Sequence, residues 1–338
     1  MANAPFERPI LIGFLLAVLS AVCFATAGPV TKALSTSGLS ALQITQARMT
    51  LAALIMLLVA LSRNPRHLLV KVSEWPLIVG FGVLAFCMNQ SLYTVAVSRL
   101  PVGIALLLEY LAPVMIVLWI MLVRRAPLPP AIWLGCVAVL SGLALVGEVW
   151  AAFSFDVLGV IAGVGTAVAL AARFLLTERG LLTRDPIALS ALGATIGAIA
   201  LGILAPPHEF PWRNALVETA RLGGSDIPLW AMIAWLAVVS TVAAYFMGVS
   251  AQRYLPSSTM SQMATLEILF AAAFASLLLG ERLTAIQVTG GLIMLAGIIT
   301  AQVMIARYKL RHSFAEVISI TDHQKPRKIN SLPPHIKK

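Results

Sequence analysis

Leu100-Pro101-Val102-Gly103-Ile104-Ala105-Leu106-Leu107-Leu108-Glu109-Tyr110-Leu111-Ala112-Pro113 is the stretch on which the fold turns. Its opening Leu100-Pro101 recurs as Leu255-Pro256. The same shift of 155 lays Leu111 on Leu266, Leu122 on Leu277, Leu128 on Leu283 and Leu140 on Leu295. Two glycines obey it as well, Gly135 onto Gly290 and Gly142 onto Gly297. Leucine matches are common in apolar segments, so the Leu-Pro pair and the two glycines carry the inference of an internal repeat. Near the start the shift is closer to 146, as with Gly13 and Gly159, and the longer connection from Pro206 to Pro228 absorbs the difference.

The chain around this stretch has 338 residues, of which 59% are hydrophobic and only 11% charged. An ordinary soluble domain has about 25% charged residues. Apolar stretches of about 17 to 25 residues, the length that crosses a bilayer as a helix, run over 10–33, 39–61, 76–98, 101–122, 131–149, 157–175, 187–205, 229–251, 257–279 and 285–306. The expected fold is an all-α membrane protein of about ten transmembrane helices. It divides into a short N-terminal segment (1–9), a first five-helix repeat (10–149), a second (157–306) and a C-terminal tail (307–338). An odd number of helices per repeat places the two copies in opposite orientations, an inverted-repeat plan known among transporters. The connection holding Trp212 reads either as a short interfacial helix or as a plain surface loop.

The net charge of +10 does not point to nucleic acid, because its distribution follows the bilayer. With the N-terminus inside, the cytoplasmic connections hold Arg63, Arg66, Lys71, Arg124, Arg125, Arg173, Arg179, Arg184 and Arg253; the other side holds only Lys32, Arg99, Arg213, Arg221 and Arg282. This is the positive-inside bias. It places both termini in the cytoplasm of a plasma (inner) membrane protein. The tail from about Leu310 is basic and polar with Pro326, Pro333 and Pro334, and reads as disordered, suited to anionic lipid headgroups. Ala25-Thr26-Ala27 resembles a signal-peptidase site, but the apolar run continues to Leu34 and the repeat needs this helix. Cys23, Cys87 and Cys136 have no metal or redox spacing and read as packing residues; no cofactor is implied.

Three ionisable side chains lie deep within the spans: Arg48, Glu109 and Glu267. Each sits within roughly 5 Å of the middle of its helix at 1.5 Å rise per residue. An ionisable group at that depth costs about 2.5–3.5 kcal/mol on insertion scales unless a partner or water meets it, so three at one depth imply a shared polar cavity. Asn89, Gln90 and Tyr93, then Thr241, Tyr245, Gln262 and Thr265, reach the same level and are candidates to line it. An Arg48–Glu109 ion pair that only fixes helix packing is the competing reading. Pro113 lies four residues after Glu109 and removes the amide that would bond its carbonyl, which kinks the helix. The three charges leave one negative in excess, balanced either by a cationic substrate group or by a proton on Glu109 or Glu267. An Arg and a Glu together suit a small zwitterion, with its carboxylate on Arg48 and its ammonium near Glu109.

Asn89-Gln90-Ser91-Leu92-Tyr93, Leu100-Pro101-Val102-Gly103-Ile104-Ala105 and Leu108-Glu109-Tyr110-Leu111-Ala112-Pro113 resemble the first repeat of the EamA family of drug/metabolite transporters. Leu279-Gly280-Glu281-Arg282-Leu283 with Gly290 resembles the closing helix pair of its second repeat. The fourth-helix pattern is similar to that of bacterial threonine/homoserine exporters. The resemblance implies a ten-helix exporter with a central cavity for amino acids or related metabolites. It carries over to Arg48, Asn89, Tyr93, Glu109 and Pro113, and more weakly to Glu267. Many relatives have Glu-Pro in the ninth helix, whereas Glu267 here precedes Ile268, so the second half does not share the first half's kink.

A membrane-embedded enzyme would need a nucleophile–base or metal set, and the sequence has no HExxH and no histidine at membrane depth. A receptor or scaffold would need large domains outside the bilayer. Within transport, a multidrug exporter is the alternative to a metabolite exporter.

Overall fold

The computed structural model describes residues 7–112, 114–115, 119, 123, 131–146, 156–251, 254–255, 263–264, 266–282, 284–286, 288–297, 299–300 and 303–304. In chain order the helices are α1 Glu7–Ala25, α2 Ala27–Ser35, α3 Ala41–Arg63, α4 Trp75–Phe81, α5 Asn89–Arg99, α6 Val102–Glu109 and α7 Ala131–Val146. Beyond these come α8 Val157–Leu181, α9 Pro186–Leu204, α10 Trp212–Val217, α11 Leu229–Ala237, α12 Ala244–Ala251, α13 Leu266–Leu279 and α14 Val288–Gly297. Six stretches among the described residues are long and apolar enough to cross a membrane: Leu11–Ser35, Ala41–Arg63, Val72–Arg99, Val157–Leu181, Pro186–Leu204 and Leu229–Gly248. With the shorter apolar α13 and α14 they make a multi-pass helical membrane protein. Leu15, Leu58, Ile199 and Ile203 on its flanks are exposed as only a lipid-facing surface tolerates.

Local sequence sets where these helices begin. Ser40 caps α3 in a capping box with Gln43, while Asp156 caps α8 through the Gly159 amide and Asp185 caps α9 ahead of Pro186. α8 runs to Leu181, six residues past the expected end at 175, because Phe174 to Leu181 continues helical without a breaker. This corrects the placement of Arg173, which lies inside the helix rather than in a connection.

The 155 shift reappears as geometry. A Cβ added to Gly142 would lie 2.5 Å from the Gly290 oxygen and 2.6 Å from the Met294 amide; one added to Gly297 would lie 2.8 Å from the Gly135 oxygen and from the Val139 amide. The two contacts exchange under the shift, since Gly135 maps to Gly290 and Val139 to Met294. Gly13 likewise abuts Leu255 while Gly159 abuts Leu100. Reciprocal contacts of this kind are what a two-fold relation produces, and the missing side chains let the backbones touch. α1 packs on α12 and α13, α8 packs on α5 and α6, and α3 lies against α9.

Two π-helical segments, Gly82–Met88 between α4 and α5 and Val238–Ala243 between α11 and α12, also coincide under the shift to within one residue. The first is seated against α9, where a Cβ on Gly82 would meet the Gly193 oxygen at 2.9 Å and one on Gly197 the Gly82 oxygen at 3.0 Å.

The 206–228 connection holds more than its sequence suggests. α10 is the short helix around Trp212, and beyond it lies an antiparallel hairpin, β1 Thr219–Leu222 with β2 Ser225–Pro228, in the register Ala220 to Ile227. Gly223 and Gly224 make its turn with φ of 60° and 82°, the two positive values that a tight hairpin turn requires. Cys23 is half-buried and Cys87 buried, both with free thiols. The Cys136 side chain and the tail beyond 304 lie outside the described residues.

Candidate functional site

Arg48 is the anchor of the site. It projects from the middle of α3, is 2% exposed, and ranks with the largest fully buried side chains. Its Nε donates to the Thr241 hydroxyl at 3.0 Å and its Nη2 to Gln90 Oε1 at 2.5 Å. The remaining Nη1 is buried with no hydrogen-bond partner among the described residues. Both acceptors stand at a π segment: Thr241 lies within one, and Gln90 comes just after the other. A π turn inserts one residue and rotates the helix beyond it, which is why such turns recur at functional sites.

From Arg48 a relay runs to the first carboxylate. Gln90 Nε2 donates to Asn89 Oδ1 at 3.3 Å, and Asn89 Nδ2 donates to Glu109 Oε1 at 3.1 Å and to the Thr166 carbonyl at 3.4 Å. Among the described residues no direct ion pair joins Arg48 to Glu109, whereas Lys32–Glu281, Arg99–Asp156, Arg184–Glu74 and His208–Glu209 do pair. Two neutral amides stand where the packing ion pair was the competing expectation.

α6 ends at Glu109, and Tyr110 and Leu111 form a turn bonded to the carbonyls of Leu106 and Leu108. This turn brings the Tyr110 hydroxyl within 3.0 Å of Glu267 Oε2 and 2.8 Å of the Ala264 carbonyl. The two carboxylates are therefore held separately, one by an amide from α5 and the other by a phenol from the α6 end. Pro113, where the kink is expected, and Gln262 and Thr265 lie outside the described residues.

Tyr245 is buried and forms one wall. It stacks on Phe86 at 5.3 Å and meets Phe24 edge-on at 5.3 Å, and the Arg173 guanidinium lies 5.1 Å above its ring centroid. Such a cation over an aromatic face is attracted by the ring quadrupole. The Tyr245 hydroxyl, like Arg48 Nη1, is buried without a hydrogen-bond partner among the described residues. Tyr93 sits apart from this relay, buried beside Gly28, where its hydroxyl would be 3.1 Å from an added Cβ.

Arg173 is the member that sequence reasoning missed. Its guanidinium lies over the Tyr245 ring, and counting it with Arg48 against Glu109 and Glu267 brings the formal sum of the buried charges to zero. The signal was present: Arg173 is the seventeenth residue of an uninterrupted helical stretch beginning at Val157, but a span closed at 175 put it at the membrane edge.

A buried polar relay inside a multi-pass helical membrane protein is what a membrane transporter needs to carry a polar solute past the apolar core. The sequence profile of the EamA-like transporter family matches residues 11–147 and again 157–301, and the chain belongs to that family. It is 25% identical over 237 residues to an uncharacterized transporter, YwfM, of Bacillus subtilis (strain 168), covering 69% of this chain and 75% of that one. A solved protein crystal structure shares the fold with a TM-score of 0.57 at 18% identity, covering 89% of this chain and 99% of the other.

Proposed function

We propose that the protein is an alternating-access exporter of a small amphipathic metabolite, such as an amino acid, which passes through a central polar cavity between two inverted five-helix halves. In this reading it lies in the plasma (inner) membrane with both termini in the cytoplasm, as the distribution of its basic residues favours.

The observation that carries the reading is the unspent valence of the site. A buried guanidinium keeps one nitrogen without a hydrogen-bond partner among the described residues, although leaving a buried charged donor unmade costs about 1–3 kcal/mol or more. Neither nearby carboxylate bonds Arg48 directly, Glu109 accepting from Asn89 and Glu267 from Tyr110. A substrate carboxylate supplies what Arg48 Nη1 and the Tyr245 hydroxyl lack, and a substrate ammonium has Glu109 within the same relay. The reciprocal glycine contacts support the inverted plan, because two halves that exchange roles give inward-open and outward-open states of similar energy. A multidrug exporter is favoured by the Phe24, Phe86 and Tyr245 wall, but Arg173 above that wall disfavours cationic drugs.

Counterflow into proteoliposomes with a panel of amino acids, organic cations and sugars tests the reading. The expected result is exchange of a zwitterionic solute that Arg48→Met abolishes while the protein stays monodisperse. Exchange of organic cations alone would sink it.

A further inference from the structure

The two ends of the helical bundle are closed differently. At the end where residues 36–40, 100–101 and 205–228 connect the helices, Lys32 Nζ donates to the Leu100 carbonyl at 2.7 Å and pairs with Glu281 Oε1 at 2.8 Å. The other carboxylate oxygen, Glu281 Oε2, accepts from the Val102 amide at 3.0 Å. Leu100 stands before Pro101, outside the α5 ladder, and Val102 is the first residue of α6, whose amide no helical carbonyl can reach. A carboxylate at that helix end also meets the positive end of its dipole.

These bonds cross a seam. α1 packs on α12 and α13, α5 and α6 pack on α8, and the two groups meet where α2, the continuation of α1, lies against α5 and where α13 lies against α6. Lys32 and Glu281 belong to the first group, and Leu100 and Val102 to the second. Just below, a Cβ on Gly28 would lie 2.3 Å from Val102 Cγ1, so the seam has no room for a solute. The hairpin covers the same end, its Gly223 amide donating to the Leu278 carbonyl at 2.9 Å. At the opposite end, a cavity of about 90 Å³ lies between Phe24, Phe81, Arg173, Ser190 and Tyr245. The ion pairs Arg184–Glu74 and Arg99–Asp156 are not counterparts, since the first joins connections flanking α4 and α8, which are packed together, and the second joins α5 to α8 within one group.

We propose that Lys32 and Glu281, bonded to the Leu100 carbonyl and the Val102 amide, form a latch that shuts the outer end of the transport path while substrate loads from the opposite end. The inference rests on the alternating-access reading and adds to it the group that must release before the outer end opens. An ion pair suits this task better than an apolar seal. The side chains are 26% and 17% exposed, and water entering on opening solvates both charges, so breaking the pair regains hydration that an apolar seam would not.

The test uses the full chain in intact cells and in inverted vesicles, with Cys23, Cys87 and Cys136 replaced and one reporter thiol added at a time. Thr31→Cys, beside the latch and fully buried, reports the outer end to a membrane-impermeant maleimide; Ser190→Cys reports the cavity end. The expected result is slow labelling at Thr31→Cys that rises at least tenfold with Glu281→Gln or Lys32→Met, while labelling at Ser190→Cys falls. Lys32→Arg, which keeps the donor and the charge, stays slow. Unchanged Thr31→Cys labelling in both variants would overturn the latch, and so would a rise at both reporters, which means general loosening. Labelling needs no substrate, so its failure is separable from a failure of counterflow.

Discussion

The two halves of the chain share a backbone and differ in their chemistry. Glycines in contact exchange partners under the 155 shift, and the π segments 82–88 and 238–243 fall on each other to within one residue. The polar side chains do not obey it. Asn89 and Gln90 are answered by Ala244 and Tyr245, Glu109 by Ala264, and Glu267 by Ala112. Repetition is thus kept in the backbone contacts between helices and abandoned in the buried polar side chains.

The largest effect is expected from breaking the shared backbone. Gly142→Leu drives a side chain into the Gly290 oxygen and the Met294 amide, main-chain atoms that cannot rotate away. Overpacking of this kind costs typically about 1–3 kcal/mol, occasionally more. Gly297→Leu meets the Gly135 oxygen and Val139 amide at slightly longer range. Thermal unfolding in detergent should therefore show both variants destabilised, Gly142→Leu more so. If only one loses stability, the two seams are not equivalent and the two-fold comparison fails.

The next effect separates the two carboxylates. Glu109 joins the relay that reaches Arg48 through Asn89 and Gln90, whereas Glu267 accepts from Tyr110 outside that relay. Glu109→Gln should reduce the exchange rate constant by about a hundredfold, which corresponds to about 2.7 kcal/mol, with little change in unfolding temperature. Glu267→Gln should cost about tenfold or less, and Tyr110→Phe should resemble it. Equal losses for the two acids, measured as initial rates of counterflow, would mean that the halves are chemically as well as structurally alike.

Much of this frame is legible in the sequence because apolar length and small-residue spacing are local properties. Gly135, Gly142, Gly290 and Gly297 mark the closest backbone contact by their spacing alone, and the depth of Arg48 comes from counting residues along α3. The π segments are not legible: nothing in Gly82–Met88 distinguishes a widened turn from an α turn, since the choice depends on how α9 presses against it. The amide relay is out of reach for a similar reason. Asn89 and Gln90 are visibly polar at the right level, but a sequence does not say which of two neighbours a guanidinium selects. The hairpin at Gly223-Gly224 carries a readable signal, a Gly-Gly turn, which the surrounding apolar spans overshadow. Arg173 shows how a boundary set six residues early changes the charge of a site.

The smallest effect is expected at the connection between the halves, where Asp156 caps α8 with no counterpart in the first repeat. Its carboxyl is held below the ordinary aspartate range by the Gly159 amide first and by Arg99 second. A depressed carboxyl pKa stabilises the folded state above its unfolded value of about 3.9, and that contribution disappears as pH falls through the folded value. Asp156→Asn keeps an acceptor for the cap but loses the charge. It should lower the unfolding temperature slightly at pH 7, and the gap from the parent protein should close as pH is lowered below about 4. Asp156→Ala removes the cap itself, so part of its deficit should persist at low pH. A constant gap for Asp156→Asn across this range would show that the capping geometry, and not the charge, links the second half to the first.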